Sequence, residues 1–214
     1  MNNIRGEAEV ALARARTVDE YREALSSCLE EAVRLSDLIG DLLFLARAES
    51  PLAHLHRENL NVGELLSGIR EYYEASAADR GVSLSTVVPN EPVIAQLDRT
   101  LLQRAVGNLV SNALAHTPAG RSVVLGTSIE PAAVRIEVSD AGVGIPPEAL
   151  PRVFDRFFRV DESRSQASGG TGLGLAIVQS IMLLHGGNVE IASKVGQGTQ
   201  VTLRVPVSLS LIHI

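Results

Sequence analysis

The sequence predicts an α+β fold: an α/β sandwich in which a mixed, mostly antiparallel sheet carries helices on one face. A truncated two-helix hairpin precedes it. Three patterns predict this. Short alternating apolar runs, 123–129 and 134–138, are spaced as a hairpin-like pair. Two longer segments, 98–116 and 171–185, keep the 3.6-residue period of buried helices. Before them, Leu25, Cys28, Ala32, Leu35, Ile39, Leu42 and Ala46 repeat at heptad spacing.

Taken in order, residues 1–16 read as the tail of a helix, rich in Ala, Arg and Glu. Thr17-Val18-Asp19-Glu20 has the S/T-x-x-E form of a capping box and starts a second helix. Its heptad seam is too long for a two-helix hairpin to bury alone. It predicts a dimeric four-helix bundle, or else packing on its own domain. Ser50-Pro51 ends this helix, and 51–58 read as a linker. A helix near 62–79 stops at Gly81. Strands follow at 82–88 and 93–97, the helix 98–116, the pair already named, the helix 171–185, and strands at 189–192 and 200–205. The domains are thus 1–50, a partial helical hairpin; 51–58, a linker; and 59–208, an α+β domain. Residues 209–214, LSLIHI, fit none of this and read as an artefactual tail resembling a translated transposon end.

The bulk composition excludes several classes. With 214 residues and 45% hydrophobic content the chain buries a real core, and with few aromatics that core is aliphatic. A net charge of −6 leaves no electrostatic footprint for nucleic acid or for an anionic membrane. The one cysteine, Cys28, excludes a disulfide framework. No apolar run is long enough to span a bilayer. Lys194 is the sole lysine among 19 basic residues. P-loop and protein-kinase nucleotide sites both need a lysine at a fixed early position, so both are excluded.

Four constellations carry chemistry. Gly169-Gly170-Thr171-Gly172-Leu173-Gly174 stands directly before a helix. Glycine costs roughly 1 kcal/mol relative to alanine inside a helix. Phosphate oxygens reaching the unpaired amides and positive dipole of a helix start supply an offsetting gain. The plainer reading is a flexible loop ending in a cap. Asn108, Asn112 and His116 share one helical face. Asparagine disfavours helix interiors, so two in register point to a ligand, with a carboxamide oxygen suited to Mg²⁺, or else to a polar solvent face. Asp140-Ala-Gly142-Val-Gly144-Ile145-Pro146 follows a strand. A carboxylate there can accept a hydrogen bond from a flat base such as adenine, or it begins an ordinary Asp-Gly turn. Phe154-Asp-Arg156-Phe157-Phe158-Arg159 holds three of the four phenylalanines. It can anchor a mobile lid whose arginines reach a phosphate, or simply plug the core.

Together the asparagine helix, DAGVGIP, FDRFFR, GGTGLGLAIV and Gly196-Gln-Gly198-Thr199 resemble, in order and context, the N, G1, F, G2 and G3 boxes of sensor histidine kinases. NIRGEAEVALARAR and LIGDLLFLARAES are similar to the heavy-metal-sensor subgroup. The resemblance implies a Bergerat-type ATP site. Asp140 would bind adenine, Gly142 and Gly144 would let the base approach, and Thr199 would lie at its edge. Asn112 would hold Mg²⁺ with Asn108 beside it, and His116 would belong to the same helix. Arg159 and Arg156 would face the phosphates from a lid, 155–170, anchored by Phe154 and Phe157. Gly170, Thr171, Gly172, Leu173 and Gly174 would cradle them. Asn108, Asn112 and Arg159 would be catalytic. The implied partners are a second copy, through the helical hairpin, and the receiver domain of a response regulator, with Arg34 and Asp37 among the exposed candidates. The implied setting is the cytoplasmic portion of an inner-membrane sensor protein.

One motif of that family is missing. Its phosphoacceptor lies in a sequence of the form H-E-L-R-T-P, which would fall before Met1. His54, His56, His116, His185 and His213 stand in no such context. His54 and His56 read as solvated, and His185 as a cation favoured by a helix C-terminus. The expected activity is MgATP binding without self-phosphorylation. Two alternatives stay open: an ATPase of the gyrase and chaperone type, and a non-catalytic nucleotide-gated dimerisation module. Against the former, no acidic residue lies between Asp98 and Asn112 to activate water.

Overall fold

The computed structural model describes residues 6, 9–13, 17–50, 54–160 and 171–206. Two compact units divide at Ala46 and Arg47. The expected first helix falls largely outside the described residues, of which 6 and 9–12 are helical. Residues 51–53 of the linker and the tail 209–214 also lie outside them.

The first unit is dominated by helix α1 (Val18–Ala48). Its capping box closes as the sequence predicts. The Glu20 amide donates to Thr17 Oγ1 at 3.3 Å, and the Thr17 amide donates to Glu20 Oε2 at 2.8 Å. The heptad seam stays open in the single chain, with Leu25, Ile39 and Leu42 all exposed.

The second unit begins with β1 (Glu58–Asn61) and α2 (Val62–Asp79), then β2 (Ser83–Val87), β3 (Ile94–Leu97) and α3 (Arg99–His116). It continues with β4 (Ser122–Glu130), β5 (Ala133–Asp140), α4 (Gly174–Leu184), β6 (Asn188–Lys194) and β7 (Gly198–Pro206). Five strands form one sheet in the order β2-β4-β5-β7-β6, with β2 parallel to β4 and every other pair antiparallel. Two details depart from expectation. The segment taken wholly as linker up to residue 58 gives way to a strand at Glu58. That strand takes β3 out of the main sheet into a two-stranded antiparallel ribbon. Leu60 faces Ala95 across it and both are buried.

Register shows how the core is built. One face carries the rungs Ile129/Val134/Val205, Thr127/Ile136/Leu203/Val189 and Leu125/Val138/Val201/Ile191. Strand alternation puts each rung on one side, and the helices α2, α3 and α4 cover it with buried Leu66, Leu102, Val106, Ile177 and Ile181. The opposite face is polar. Arg135 and Arg204 stand opposite each other there. Their like charges are offset by ion pairs to Glu137, Glu130 and Glu190. On the covered face the next rung is Val123/Asp140/Thr199/Ser193, where the apolar pattern ends.

Candidate nucleotide site

Asp140 is the last residue of β5, at that polar rung. Its Oδ1 accepts hydrogen bonds from the Gly142 amide at 2.8 Å and the Thr199 amide at 3.3 Å. Oδ2 takes none from the described residues. Burial pushes the carboxyl above the usual aspartate range, although both amides and nearby His116 pull it down. A half-buried carboxylate with one open oxygen is suited to a neutral N–H donor from a ligand.

The turn after Asp140 is tied to the end of α3. The Val143 amide donates to the His116 carbonyl at 3.2 Å. A Cβ on Gly142 would stand 2.5 Å from that carbonyl oxygen, so only glycine fits. Gly142 therefore serves first the close approach of the protein's own backbone. Gly144 follows with φ 71° and packs on the Lys194 carbonyl. The Ile145 amide donates to Ser193 Oγ at 2.8 Å.

Of the four labelled α-helices, three have starts closed by side chains: Thr17 and Glu20 on α1, Asn61 on α2 and Asp98 on α3. The fourth, α4, has no side-chain cap. The sequence predicts a helix from 171, with Gly172 inside its start, but the helix begins at Gly174 and Gly172 lies before it. With φ 72° it has no room for a Cβ against the Phe157 backbone, 2.9 Å away. Its carbonyl accepts the Phe157 amide at 2.9 Å. Phe157 itself has φ 63°, a strained conformation for an aromatic residue. Thr171 Oγ1 accepts the amide of buried Leu173 at 3.3 Å. At Gly174 a Cβ would meet Asn112 Nδ2 at 3.6 Å and Asn108 Cβ at 3.8 Å. The two asparagines of α3 thus stand beside the uncapped start of α4. Asn108 Nδ2 is buried there with no hydrogen-bond partner. Such an orphan costs about 1–3 kcal/mol unless a ligand meets it.

The structure brings Asn108, Asn112, Thr171, Gly172, Leu173 and Gly174 into one cluster, and Asp140, Gly142, Gly144 and Thr199 into another. The end of α3 at His116 joins them. Gly170 and residues 161–169 of the expected lid lie outside the described residues. Phe154 is half-buried and Phe157 exposed. Arg156 pairs with Glu49, and Arg159 is half-buried. His54 and His56 are exposed. His185 corrects an expectation. It caps the end of α4 but is buried, and its Nε2 accepts the Asp98 amide at 3.1 Å while Nδ1 bonds the Ile181 carbonyl. An imidazole accepting at Nε2 is neutral. Burial holds it below the ordinary histidine range. Sequence reasoning also missed Ser193. The signal was there: Val189 and Ile191 alternate inward on β6, and Ser193 breaks the pattern.

Residues 97–209 match the family described as histidine kinase-, DNA gyrase B- and HSP90-like ATPase. The chain belongs to this family. Residues 1–51 match the His Kinase A (phospho-acceptor) domain. The domain order is that of the catalytic part of a sensor histidine kinase. Among curated proteins, sensor protein IrlS of Burkholderia pseudomallei is 40% identical over 96% of this chain and 44% of its own length. CusS of Escherichia coli K12 is 38% identical over 96% and 42%. CzcS of Cupriavidus metallidurans is 40% identical over 97% and 43%. The chain thus spans less than half the length of these relatives. Among solved structures, full-length ShkA in complex with AMPPNP superposes with a TM-score of 0.80 at 27% identity, over 97% of this chain and 43% of that one. The catalytic domain of ThkA gives 0.63 at 25% identity, over 72% and 97%.

Proposed function

We propose that this chain binds ATP with Mg²⁺ and transfers the γ-phosphoryl group to a histidine imidazole, for relay to an aspartate on a response regulator receiver domain. The observation that carries it is the uncapped start of α4 with the Asn108 and Asn112 amides beside it, one of them buried without a partner. The residues fit the ligand. The orphaned Asn108 amide and the open Asp140 oxygen are the groups that a phosphate–metal unit and an adenine amine would satisfy. Asn112 would hold Mg²⁺ through its carboxamide oxygen, with Asn108 beside it, and the ion would supply neutralisation of phosphate charge. Thr171, Gly172, Leu173 and Gly174, with Gly170, present the helix start to the phosphates. Arg159, with Arg156 once released from Glu49, supplies positive charge. Transfer breaks the bond between the γ-phosphorus and its bridging oxygen, forms a bond to an imidazole nitrogen, and releases ADP and a proton.

The acceptor would be supplied from outside this sequence, since residues 1–51 contain no histidine. The exposed seam of α1 supports pairing of two copies through their hairpins in the intact, membrane-anchored sensor. Among the described residues no helix is long and apolar enough to cross a membrane. The test mixes the chain with radiolabelled MgATP and a separate hairpin carrying an H-box histidine. Label on that hairpin supports the reading. Absence of nucleotide binding overturns it. Sustained hydrolysis without transfer would instead favour the gyrase-type ATPase.

A further inference from the structure

The polar rung on the covered face holds one group that the reading above leaves without a role. Ser193 lies opposite Thr199, and Thr199 opposite Asp140, so the three side chains occupy one rung across β6, β7 and β5 on one face. Ser193 Oγ stands 2.8 Å from the Ile145 amide, 2.9 Å from the Gly198 carbonyl and 2.8 Å from Thr199 Oγ1. A hydroxyl has one proton and two lone pairs. The Ile145 N–H can only donate, and the Gly198 carbonyl can only accept. Ser193 therefore gives its single proton to Gly198 and accepts from Ile145. Its second lone pair is left for the Thr199 proton. All three contacts are satisfied only in this arrangement. It turns the Thr199 hydroxyl proton toward Ser193 and leaves Thr199 with lone pairs alone for anything else. Asp140 Oδ2, on the same rung, is also an acceptor.

We propose that Ser193 sets the base specificity of the site by fixing Thr199 as an acceptor. The wall formed by Asp140 and Thr199 then admits a 6-amino purine and refuses a 6-oxo purine. Ser193 touches no ligand; it is a positioning residue acting through Thr199. This rests on the ATP-site reading and adds to it the group that decides between bases. A carbonyl facing two acceptors loses a hydrogen bond and meets repulsion, the arrangement by which polar sites discriminate most strongly. Removing the Ser193 hydroxyl lets the Thr199 proton turn outward and meet that carbonyl.

The experiment measures dissociation constants of MgATP and MgITP with the full chain, for the parent and for Ser193→Ala and Ser193→Thr. In Ser193→Ala, ITP binding tightens and the ATP-to-ITP preference narrows about tenfold, the worth of one hydrogen bond. In Ser193→Thr, which keeps the hydroxyl, the preference stays at the parent value. A folded Ser193→Ala with an unchanged ratio, or with both nucleotides weakened in parallel, overturns the inference. So does a shifted ratio in Ser193→Thr, a result that stands even if the alanine variant fails to fold. A parent chain that binds neither nucleotide sinks the ATP-site reading itself. A parent that binds ATP while the variants keep its ratio sinks only the role of Ser193.

Discussion

Helices α1 and α3 obey the same helical periodicity and use it differently. α3, 18 residues long, buries Leu102, Ala105, Val106, Leu109, Val110, Ala113 and Leu114. α1, 31 residues long, buries Leu45 alone, and leaves Leu25 and Leu29 at 68% and 66% exposure. The apolar stripe of α3 closes against its own domain, and its polar stripe is left to build a site. The stripe of α1 is left over, and in our reading it faces a second copy. A hydrophobic seam in sequence therefore shows that something is covered, not which molecule covers it.

The largest effect expected from this contrast is on stability. Ile177→Ala, in the buried face of α4, should lower unfolding stability by about 2–5 kcal/mol. Leu29→Ala on α1 should stay within about 0.5 kcal/mol. Urea unfolding of both decides it, and equal losses would erase the distinction between the helices. Next comes Asn108→Leu. It removes a buried amide that has no partner, so stability should hold or rise while MgATP binding weakens about 10- to 100-fold. Calorimetric titration beside a thermal melt checks it. A variant that binds normally would reduce Asn108 to a packing residue.

A smaller effect is expected from acid. His185 is held neutral by burial, reinforced by Arg57, while the Ile181 carbonyl and Asp98 oppose. The unfolded imidazole binds its proton first as pH falls below its ordinary value of 6.5. Its contribution is thus complete above that value and is lost as pH falls through the depressed folded value. Melts from about pH 7.5 to 5 should show a steeper loss in the parent than in His185→Gln. Parallel curves would remove His185 as the cause. The smallest effect on the catalytic unit comes from Ile39→Ser with Leu42→Ser. Its melting should move by under about 0.5 kcal/mol. Any concentration dependence in sedimentation, weak in the parent, should disappear. A catalytic unit that loses stability with these seam substitutions would contradict the separation.

What could be read from the sequence was what local periodicity encodes. The alternation in β4 and β5 and the asparagine spacing on α3 needed no tertiary knowledge, because each is a rule about neighbours on one element. Where the strands pair was not legible. ENLN, the sequence of β1, has one apolar residue, Leu60, and its partner Ala95 lies far along the chain. The His185–Asp98 bond joins residues 87 apart. Ser193 is an ordinary serine until register sets it beside Thr199. Gly142 was expected to make room for a base. The structure adds a nearer reason for glycine there, since a Cβ would stand 2.5 Å from the His116 carbonyl oxygen, a contact between two elements that no spacing rule specifies.

The tie between the His116 carbonyl and the turn after Asp140, with α3 lying beside the start of α4, also bears on how the molecule comes apart. The groups of the site are drawn from segments separated by long stretches of chain, so none survives local melting of the others. A nucleotide that fills the site therefore favours the fully folded domain alone. At 100 times its dissociation constant it adds about 2.7 kcal/mol against global unfolding. Proteases that attack opened forms would meet correspondingly fewer of them. The cellular lifetime of this domain would then follow the ATP supply, quite apart from any signal it transmits.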